Sequence, residues 1–314
     1  MLSAIGIDLG GTNTKIALVS ENGKIIKKDV LPTLNPFDKK EWVLQTDEVI
    51  NDLKNSQREC NIAGIGIGIA GLVDPFKKVI LQAPNIVGID NWNIGEDLIS
   101  KFKISVEIDN DVNVMALGEF LFGEAKKTKN AICLTLGTGV GGGLILNGDL
   151  FRGSNFMAGE LGHITINENG PQCNCGNFGC AETYLGNGKI IKKFKQMMEA
   201  DNSSILNGVK DIDPSKIFEA AKKGDYLSLR MWSEFAAHLA TLLSGLVNLL
   251  NPDKIILGGG VSNAIDVFKG PLIEHMKKRT LKASMEKLII IRSKLSQEAG
   301  VIGAASLVFN KKES

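Results

Sequence analysis

The stretch that decides the fold is AIGIDLGGTNTKIALVSENGKII, residues 4–26, because AICLTLGTGVGGGLILNGDLF, residues 131–151, repeats its pattern. Each stretch predicts a β-branched strand, a tight turn rich in Gly and Thr, and a second strand. Each then contains an Asn-Gly pair that favours a hairpin turn, Asn22-Gly23 in the first copy and Asn147-Gly148 in the second. The sequence therefore predicts a duplicated α/β unit.

The rest of the chain alternates between predicted strands and predicted helices. The expected strands cover residues 62–69, 104–108, 254–257 and 288–291. One expected helix ends near residue 53, another begins near residue 94, and a third is capped by residues 109–111 and runs through residues 115–122. Further helices are expected over residues 190–200, 214–223 and 299–309. Such alternation predicts a largely parallel sheet in each half.

The length of the chain predicts two domains, since 314 residues exceed what one compact core usually supports. We expect a smaller N-terminal α/β domain over residues 1–109, completed by a C-terminal helix over residues 298–314. A larger α/β domain is expected over residues 110–297. Because small ligands often bind between domains, we expect the functional site in an interdomain cleft.

Charge and hydropathy argue against several classes of partner. The 36 Lys and Arg residues against 35 Asp and Glu residues leave a net charge of +1, unlike the basic surface of a nucleic-acid-binding protein. No basic segment precedes an apolar run at the N-terminus, so no signal peptide is expected. The most apolar helical stretch, residues 239–250, is shorter than the about 20 residues of a membrane-spanning helix and is interpreted as a buried core helix. We expect a cytoplasmic protein with no nucleic-acid or membrane partner.

Glycine-rich stretches follow three predicted strands, at residues 8–15, 137–143 and 258–260. Glycine lets backbone N–H groups close on phosphate oxygens, and a Thr hydroxyl adds a donor. One such turn alone is usually an ordinary hairpin, but equivalent turns in both repeats favour a nucleotide, with adenine or ribose against the third stretch. Asp8 is expected to hold Mg²⁺ through water. The predicted ATP-binding residues are Asp8, Gly10, Gly11, Thr12, Asn13, Lys15, Gly137, Thr138, Gly139, Gly258, Gly259 and Gly260.

Residues 109–113, DNDVN, place two carboxylates and two carboxamides where a strand meets a helix. Asp and Asn are favoured N-cap residues, but capping uses only one of the four. The other side chains suit a hydroxyl-rich ligand, with a carboxylate as its base. We therefore predict a substrate site at this junction.

Three of the five cysteines are crowded together shortly after His163: Cys173, Cys175 and Cys180. One His and three Cys form the ligand set of a closed structural Zn²⁺ site, with no position open for catalysis. Reduced cysteines beside a buried His remain an alternative, because Cys-x-Cys is a less common zinc spacing than Cys-x-x-Cys. The odd number of cysteines again favours the cytoplasm.

Seven motifs along the chain carry a resemblance to a known family. In chain order they are DLGGTNTK, GIGIAGLVD, DNDVN, GTGVGGG, AGELGH, CNCGNFGCAE and ILGGGV. The chain resembles the ROK family of sugar kinases and repressors, which belongs to the actin-like (ribonuclease H-like), hexokinase-type ATPase superfamily. AGELGH followed by CxCGxxGCxE is the most specific part and is similar to the glucokinase branch.

The resemblance implies an ATP-dependent kinase that phosphorylates the 6-hydroxyl of glucose and uses Mg²⁺ and a structural Zn²⁺. It implies Asp111 as the catalytic base, and a homodimer is the expected assembly. It implies zinc on His163, Cys173, Cys175 and Cys180. The residues expected to bind the hexose are Gly71, Asn85, Asn110, Asp111, Glu160, His163 and Glu182.

Two alternatives stay open. One is a kinase of the same family that acts on N-acetylmannosamine or another aldohexose, and Ala70, where the family often has Pro, bears on that choice of sugar. The other is a sugar-responsive transcriptional repressor. It is less favoured, because the first strand begins by Ala4, leaving no room for a DNA-binding segment, and because DLGGT is intact.

Overall fold

The structure, a computed structural model, describes residues 1–56 and 60–310. Its strands are β1 (Leu2–Leu9), β2 (Asn13–Ser20), β3 (Ile25–Pro32), β4 (Asn61–Ile69), β5 (Leu72–Asp74), β6 (Val79–Gln82), β7 (Ser105–Asn110), β8 (Ala131–Leu136), β9 (Val140–Leu146), β10 (Asp149–Phe151), β11 (Lys254–Gly258) and β12 (Ile289–Arg292). Its α-helices are α1 (Lys39–Ser56), α2 (Ile94–Phe102), α3 (Asp111–Leu121), α4 (Glu182–Leu185), α5 (Asn187–Ala200), α6 (Pro214–Lys222), α7 (Tyr226–Leu250), α8 (Ile265–Lys277), α9 (Lys282–Lys287) and α10 (Ala299–Phe309). The predicted strands and helices are confirmed, and α3 begins at Asp111, directly after Asn110, one of the predicted cap residues.

The two large sheets have equivalent strand orders, which confirms the predicted duplication. The first sheet has the order β3-β2-β1-β4-β7, and the second has the order β10-β9-β8-β11-β12. In the first sheet β4 is parallel to β1 and β7, and in the second sheet β11 is parallel to β8 and β12. The expectation of largely parallel sheets was wrong for the hairpin side of each sheet. There β1 and β2, β2 and β3, and β9 and β10 pair antiparallel, because tight turns reverse the chain.

The chain divides into two compact units. Unit 1 comprises Met1–Thr128, Gly143–Gly159 and Lys294–Ser314, and unit 2 comprises Lys129–Gly142 and Glu160–Ser293. This division differs from the predicted one, since residues 110–128 belong with unit 1. The reason is α3, whose Val114 and Leu117 form one apolar cluster with Ala304 and Leu307 of α10. The predicted cleft between the domains stays a prediction.

The C-terminal helix α10 covers one face of the first sheet. Its residues 301–308 are all buried. The contact is made by backbone atoms, because a methyl group at Gly6 would overlap the Val301 carbonyl oxygen and one at Gly66 would overlap that of Ala304. The last residues of the predicted helix, 311–314, lie outside the described residues.

The core of unit 2 is organised by α7. An aromatic cluster joins α7 to α8, with ring centroids 5.4 Å apart for Trp232 and Phe235 and 5.2 Å apart for Phe235 and Phe268. By length and composition alone α7 could cross a membrane, but half of its apolar window is buried inside the protein, as in a core helix. Leu239 and Leu243 have no exposed surface, which confirms residues 239–250 as part of a buried core helix.

We predict that Gly66→Ala destabilises the protein by about 1–3 kcal/mol or more, because the added methyl group overlaps the Ala304 carbonyl oxygen and must push α10 off the sheet. The control is Gly245→Ala on α7, where a methyl group meets no atom within 4 Å. That substitution should stabilise by about 0.5–1 kcal/mol, as expected inside a helix. Thermal unfolding measures both. Equal melting temperatures for Gly66→Ala and wild type would contradict the proposed packing.

Candidate functional site

The first glycine turn, residues 10–12, joins β1 to β2 in unit 1. Strand pairing places Asp8 opposite Lys15, and Lys15 Nζ lies 3.5 Å from Asp8 Oδ2. Lys15 Nζ also donates to the Gln297 carbonyl oxygen at 3.4 Å. Burial raises the pKa of Asp8 above its usual value, and the charge of Lys15 offsets only part of this effect. The strand end therefore carries a partly desolvated carboxylate beside an ammonium group.

Thr33, which the sequence did not single out, holds the first glycine turn. The Thr33 hydroxyl donates to the Gly10 carbonyl oxygen at 2.8 Å, and the Thr33 N–H donates to the Thr12 carbonyl oxygen at 2.9 Å. Thr14 Oγ1 lies 3.1 Å from Thr33 Oγ1 and accepts a hydrogen bond from Trp42 Nε1. These bonds join residues distant along the chain, so no local pattern reveals them.

Asn85 lies beside the same turn. A methyl group at Gly11 would be 3.0 Å from the Asn85 carbonyl oxygen and 3.3 Å from its Cβ. The structure therefore brings together Asn85, predicted to bind the hexose, and Gly11, predicted to bind ATP. The side chain of Asn85 is exposed.

Asn110 is the N-cap of α3 and organises the strand-to-helix junction. Its Oδ1 accepts from the N–H groups of Val112 at 2.9 Å and Asn113 at 3.2 Å. Its Nδ2 donates to the Gly71 carbonyl oxygen at 3.2 Å. The Asn110 carboxamide thus caps the helix and also binds the Gly71 loop. Asp111 is the first residue of α3, and its side chain is partly exposed.

The surroundings of Asp109 indicate a structural role instead. Its Oδ1 accepts from the Asn110 N–H and from Asn113 Nδ2, both at 2.8 Å. Its Oδ2 accepts from Arg152 Nε at 2.6 Å, and the side chain is 2% exposed. Both oxygens are therefore engaged and buried, which leaves Asp111 as the accessible carboxylate of the junction. Arg152 was not predicted, because it lies after the second repeat and far away in the sequence.

The second glycine turn, residues 137–139, joins β8 to β9 in unit 2. The Gly137 N–H donates to the Gly139 carbonyl oxygen at 3.0 Å, which closes the turn. The Val140 N–H donates to Glu182 Oε2 at 2.9 Å, and the Asn187 N–H donates to the Gly137 carbonyl oxygen at 2.8 Å. Glu182, predicted only as a sugar ligand, is therefore also a partner of this turn.

The third glycine turn, residues 258–260, lies next to the second. Gly258 ends β11, and Gly259 has a φ of +78°, a left-handed conformation that favours glycine. A methyl group at Gly259 would overlap the backbone of Leu136, the residue before Gly137. The structure thus brings the two predicted nucleotide turns of unit 2 together.

His163, Cys173, Cys175 and Cys180 form a compact cluster in unit 2. Their ligand atoms lie within 4.8 Å of one another. His163 Nδ1 is 3.7 Å from Cys173 Sγ, and the sulfur atoms of Cys175 and Cys180 are also 3.7 Å apart. Zinc bonds of about 2.0–2.3 Å in a tetrahedron require ligand atoms about 3.3–3.8 Å apart, so the cluster fits a structural zinc.

The thiols of this cluster have different pKa values. Burial and the neighbouring thiols raise the pKa of Cys180 to about 12. The backbone N–H of Asn177 contributes most to lowering the pKa of Cys175, which lies at the exposed side of the cluster. A divalent cation would offset the cost of holding these sulfurs together as thiolates. His163 Nδ1 faces the cluster, so its Nε2 stays available for another partner.

Known proteins are similar to this chain along nearly its whole length. Residues 4–311 match the ROK family. The chain is 32% identical over 311 residues to a glucokinase of Thermotoga maritima. This alignment covers 98% of this chain and 97% of the relative. It is also 34% identical to a xylose repressor of Caldicellulosiruptor bescii, over 98% of this chain and 78% of the repressor.

A solved structure extends the comparison to the fold. The crystal structure of a ROK family glucokinase from Streptomyces griseus, in complex with glucose and AMPPNP, is similar to this chain with a TM-score of 0.82 and 30% identity. The similarity covers 98% of this chain and 100% of that one. This likeness confirms the predicted fold class.

Proposed function

The chain belongs to the ROK family and is an ATP-dependent sugar kinase, and we propose that it phosphorylates the 6-hydroxyl of glucose with Asp111 as general base. The observation that carries the proposal is the junction of β7 and α3. There Asn110 caps the helix and Arg152 neutralises Asp109, so that Asp111 is the carboxylate left accessible. Asp109, which is buried and paired with Arg152, is not accessible to a substrate hydroxyl.

In the proposed reaction Asp111 orients the hexose hydroxyl and accepts its proton. The hydroxyl oxygen forms a bond to the γ-phosphorus while the bond to the bridging oxygen of ADP breaks. In a loose transition state most of the benefit comes from placing the attacking oxygen in line and accepting its proton late. A carboxylate on the first residue of a capped helix suits this role, because the backbone fixes its position.

The glycine turns are proposed to hold ATP. Residues Gly10, Gly11, Thr12 and Asn13 in unit 1, and Gly137, Thr138 and Gly139 in unit 2, would offer backbone and hydroxyl donors to phosphate oxygens. Asp8 would hold Mg²⁺ through water, and the ion, when bound, neutralises phosphate charge. Lys15 would balance Asp8, and residues 258–260 would lie against adenine or ribose.

The hexose hydroxyls are proposed to be bound by side chains and by one glycine whose loop is fixed by Asn110. Asn110 and Asp111 lie at one end of α3, and Glu160 and His163 lie within four residues of each other in unit 2. The proposed sugar-binding residues are Gly71, Asn85, Asn110, Asp111, Glu160, His163 and Glu182. We further propose a cytoplasmic homodimer with a structural zinc on His163 and the three clustered cysteines.

A repressor function is the second candidate, because the chain is also similar to the xylose repressor. Two features favour the kinase. The DLGGT motif is intact, and both Gly10 and Thr12 are held in place by Thr33. A protein that only senses sugar needs neither this turn nor a base at residue 111.

The reaction is tested by measuring ADP release with ATP and Mg²⁺ across a panel of glucose, mannose, N-acetylmannosamine and fructose. We expect the highest kcat/KM with glucose, and glucose 6-phosphate as its product. A higher kcat/KM with N-acetylmannosamine than with glucose would identify N-acetylmannosamine as the preferred substrate and would still support a kinase. No ADP release with any sugar, together with salt-sensitive binding to a specific DNA site, would favour the repressor.

We predict that Asp111→Asn lowers kcat by about 10²–10⁴-fold, because the amide keeps the shape but cannot accept the proton. Affinities for ATP and glucose should change far less, and the melting temperature should stay near that of wild type. The control is Asp109→Asn, which loses the ion pair to Arg152 and should lower the melting temperature. If Asp111→Asn keeps most of its kcat, another group must be the base.

We predict one zinc per chain in freshly purified protein, and its loss in Cys175→Ser. Serine is a poor zinc ligand, so the variant should also melt at a lower temperature and bind glucose more weakly, since Glu160 and Glu182 flank the cluster. Cys60→Ser is the matched control, because Cys60 lies outside the cluster. Elemental analysis and thermal unfolding give the result. Equal zinc content in Cys175→Ser and Cys60→Ser would contradict the proposed zinc site.

A further inference from the structure

The segment from Cys180 to Asn187 packs along the second glycine turn. It makes three contacts there. Glu182 Oε2 accepts the Val140 N–H at 2.9 Å, the Asn187 N–H donates to the Gly137 carbonyl oxygen at 2.8 Å, and a methyl group at Gly186 would be 2.9 Å from the Thr138 carbonyl oxygen. One continuous piece of chain therefore touches the turn from end to end.

The Glu182 carboxylate is positioned toward the glycine turn by the local fold of its own segment. Its residue opens α4, where the Gly186 N–H donates to the Glu182 carbonyl oxygen at 3.1 Å. The preceding turn is fixed by the Thr183 hydroxyl, which donates to the Cys180 carbonyl oxygen at 2.7 Å. Gly139 has no side chain, and a methyl group there would overlap Glu182 Oε2. The absence of a side chain at residue 139 is what lets the carboxylate reach the turn.

The hydrogen bond to Glu182 also decides which donors of the turn remain available. It takes the N–H of Val140, and the N–H of Gly137 is used to close the turn. Across residues 1–56 and 60–310 the structure gives the N–H groups of Thr138 and Gly139 no acceptor. These two donors are the ones that a phosphate oxygen would use.

A carboxylate offers about four acceptor positions over two oxygens. Among the described residues, the structure gives the Glu182 side chain one hydrogen bond, in which Oε2 accepts from the Val140 N–H. Oε1 is therefore available for a second donor, such as a sugar hydroxyl. A charged acceptor binds both donors more strongly than a neutral one would.

We propose that Glu182 is a positioning residue that couples hexose binding to nucleotide binding. Through Oε2 it fixes the second glycine turn in the form that presents Thr138 and Gly139, and through Oε1 it binds a sugar hydroxyl. A bound sugar immobilises the carboxylate and so the turn, and the nucleotide then binds a turn that is already ordered. This inference rests on the proposed function for the identity of the two ligands, but not for the contact between Glu182 and Val140.

The contact is tested without any ligand, by amide hydrogen exchange at Val140. In Glu182→Ala this amide should exchange at least about tenfold faster than in wild type, and Glu182→Gln, which keeps a neutral acceptor, should recover part of the protection. Gly139→Ala should speed exchange as well, because its methyl group displaces Glu182. Gly137→Ala is the matched control, since a methyl group there meets no atom within 4 Å. Unchanged exchange in both Glu182→Ala and Gly139→Ala overturns the proposal.

The coupling is tested by calorimetry, as the Kd of AMPPNP with and without saturating glucose. Wild type should bind AMPPNP at least about fivefold more tightly with glucose present, and Glu182→Ala should show the same Kd in both cases. Glu160→Gln is the control: it should weaken glucose binding yet keep the coupling once glucose is saturating. A role in stability alone would weaken both ligands without removing the coupling.

The two proposals fail in distinguishable ways. If wild type binds neither AMPPNP nor glucose, the proposed function fails, and the coupling proposed for Glu182 fails with it. If wild type shows coupling and Glu182→Ala keeps it, the proposed function stands and the role of Glu182 is overturned.

Discussion

The backbone of α10 lies directly on glycines of the first sheet, and the predicted functional carboxylates of unit 1 depend on that contact. Helix α10 contacts Asp8 directly, and it also contacts α3, the helix that begins at Asp111. Gly300 lies against the Asp8 carboxylate, where a methyl group would be 2.6 Å from Oδ2, and Gly303 lies against the Val114 carbonyl oxygen in α3. Since Asp111 begins α3, α10 contacts both Asp8 and the helix that carries Asp111.

Three aspartates of unit 1 acquire three different chemical characters from their surroundings. Asp8 is desolvated and has a raised pKa beside Lys15. Asp109 is buried against Arg152 and has both oxygens engaged. Asp111 projects from the start of a helix and stays partly exposed. The three aspartates therefore differ in exposure and in charge partners, as three different proposed roles require.

Much of the fold could be predicted from the sequence because its signals are local. The Asn-Gly hairpins, the β-branched strands and the apolar helix at residues 299–309 are each defined by neighbouring residues. The compact units differ from the predicted domain bounds for a physical reason: the sequence shows that a strand ends near Asp109 but not that α3 packs on α10. Thr33, Arg152 and the bond from Val140 to Glu182 were missed for the same reason. Each joins segments far apart in the chain, and a single sequence carries no signal for such pairs.

The dependence of β1 and β4 on α10 also has a consequence for biosynthesis. Gly6 and Gly66 of the first sheet lack their contact with α10 until Ala299–Phe309 has been made. At about 5–20 residues per second, the ribosome needs roughly 15–60 s to travel from the first strand to that helix. During this time the α10-facing backbone of Gly6 and Gly66 lacks its native contact. The packing of unit 1 can therefore be completed only after Ala299–Phe309 has been synthesised.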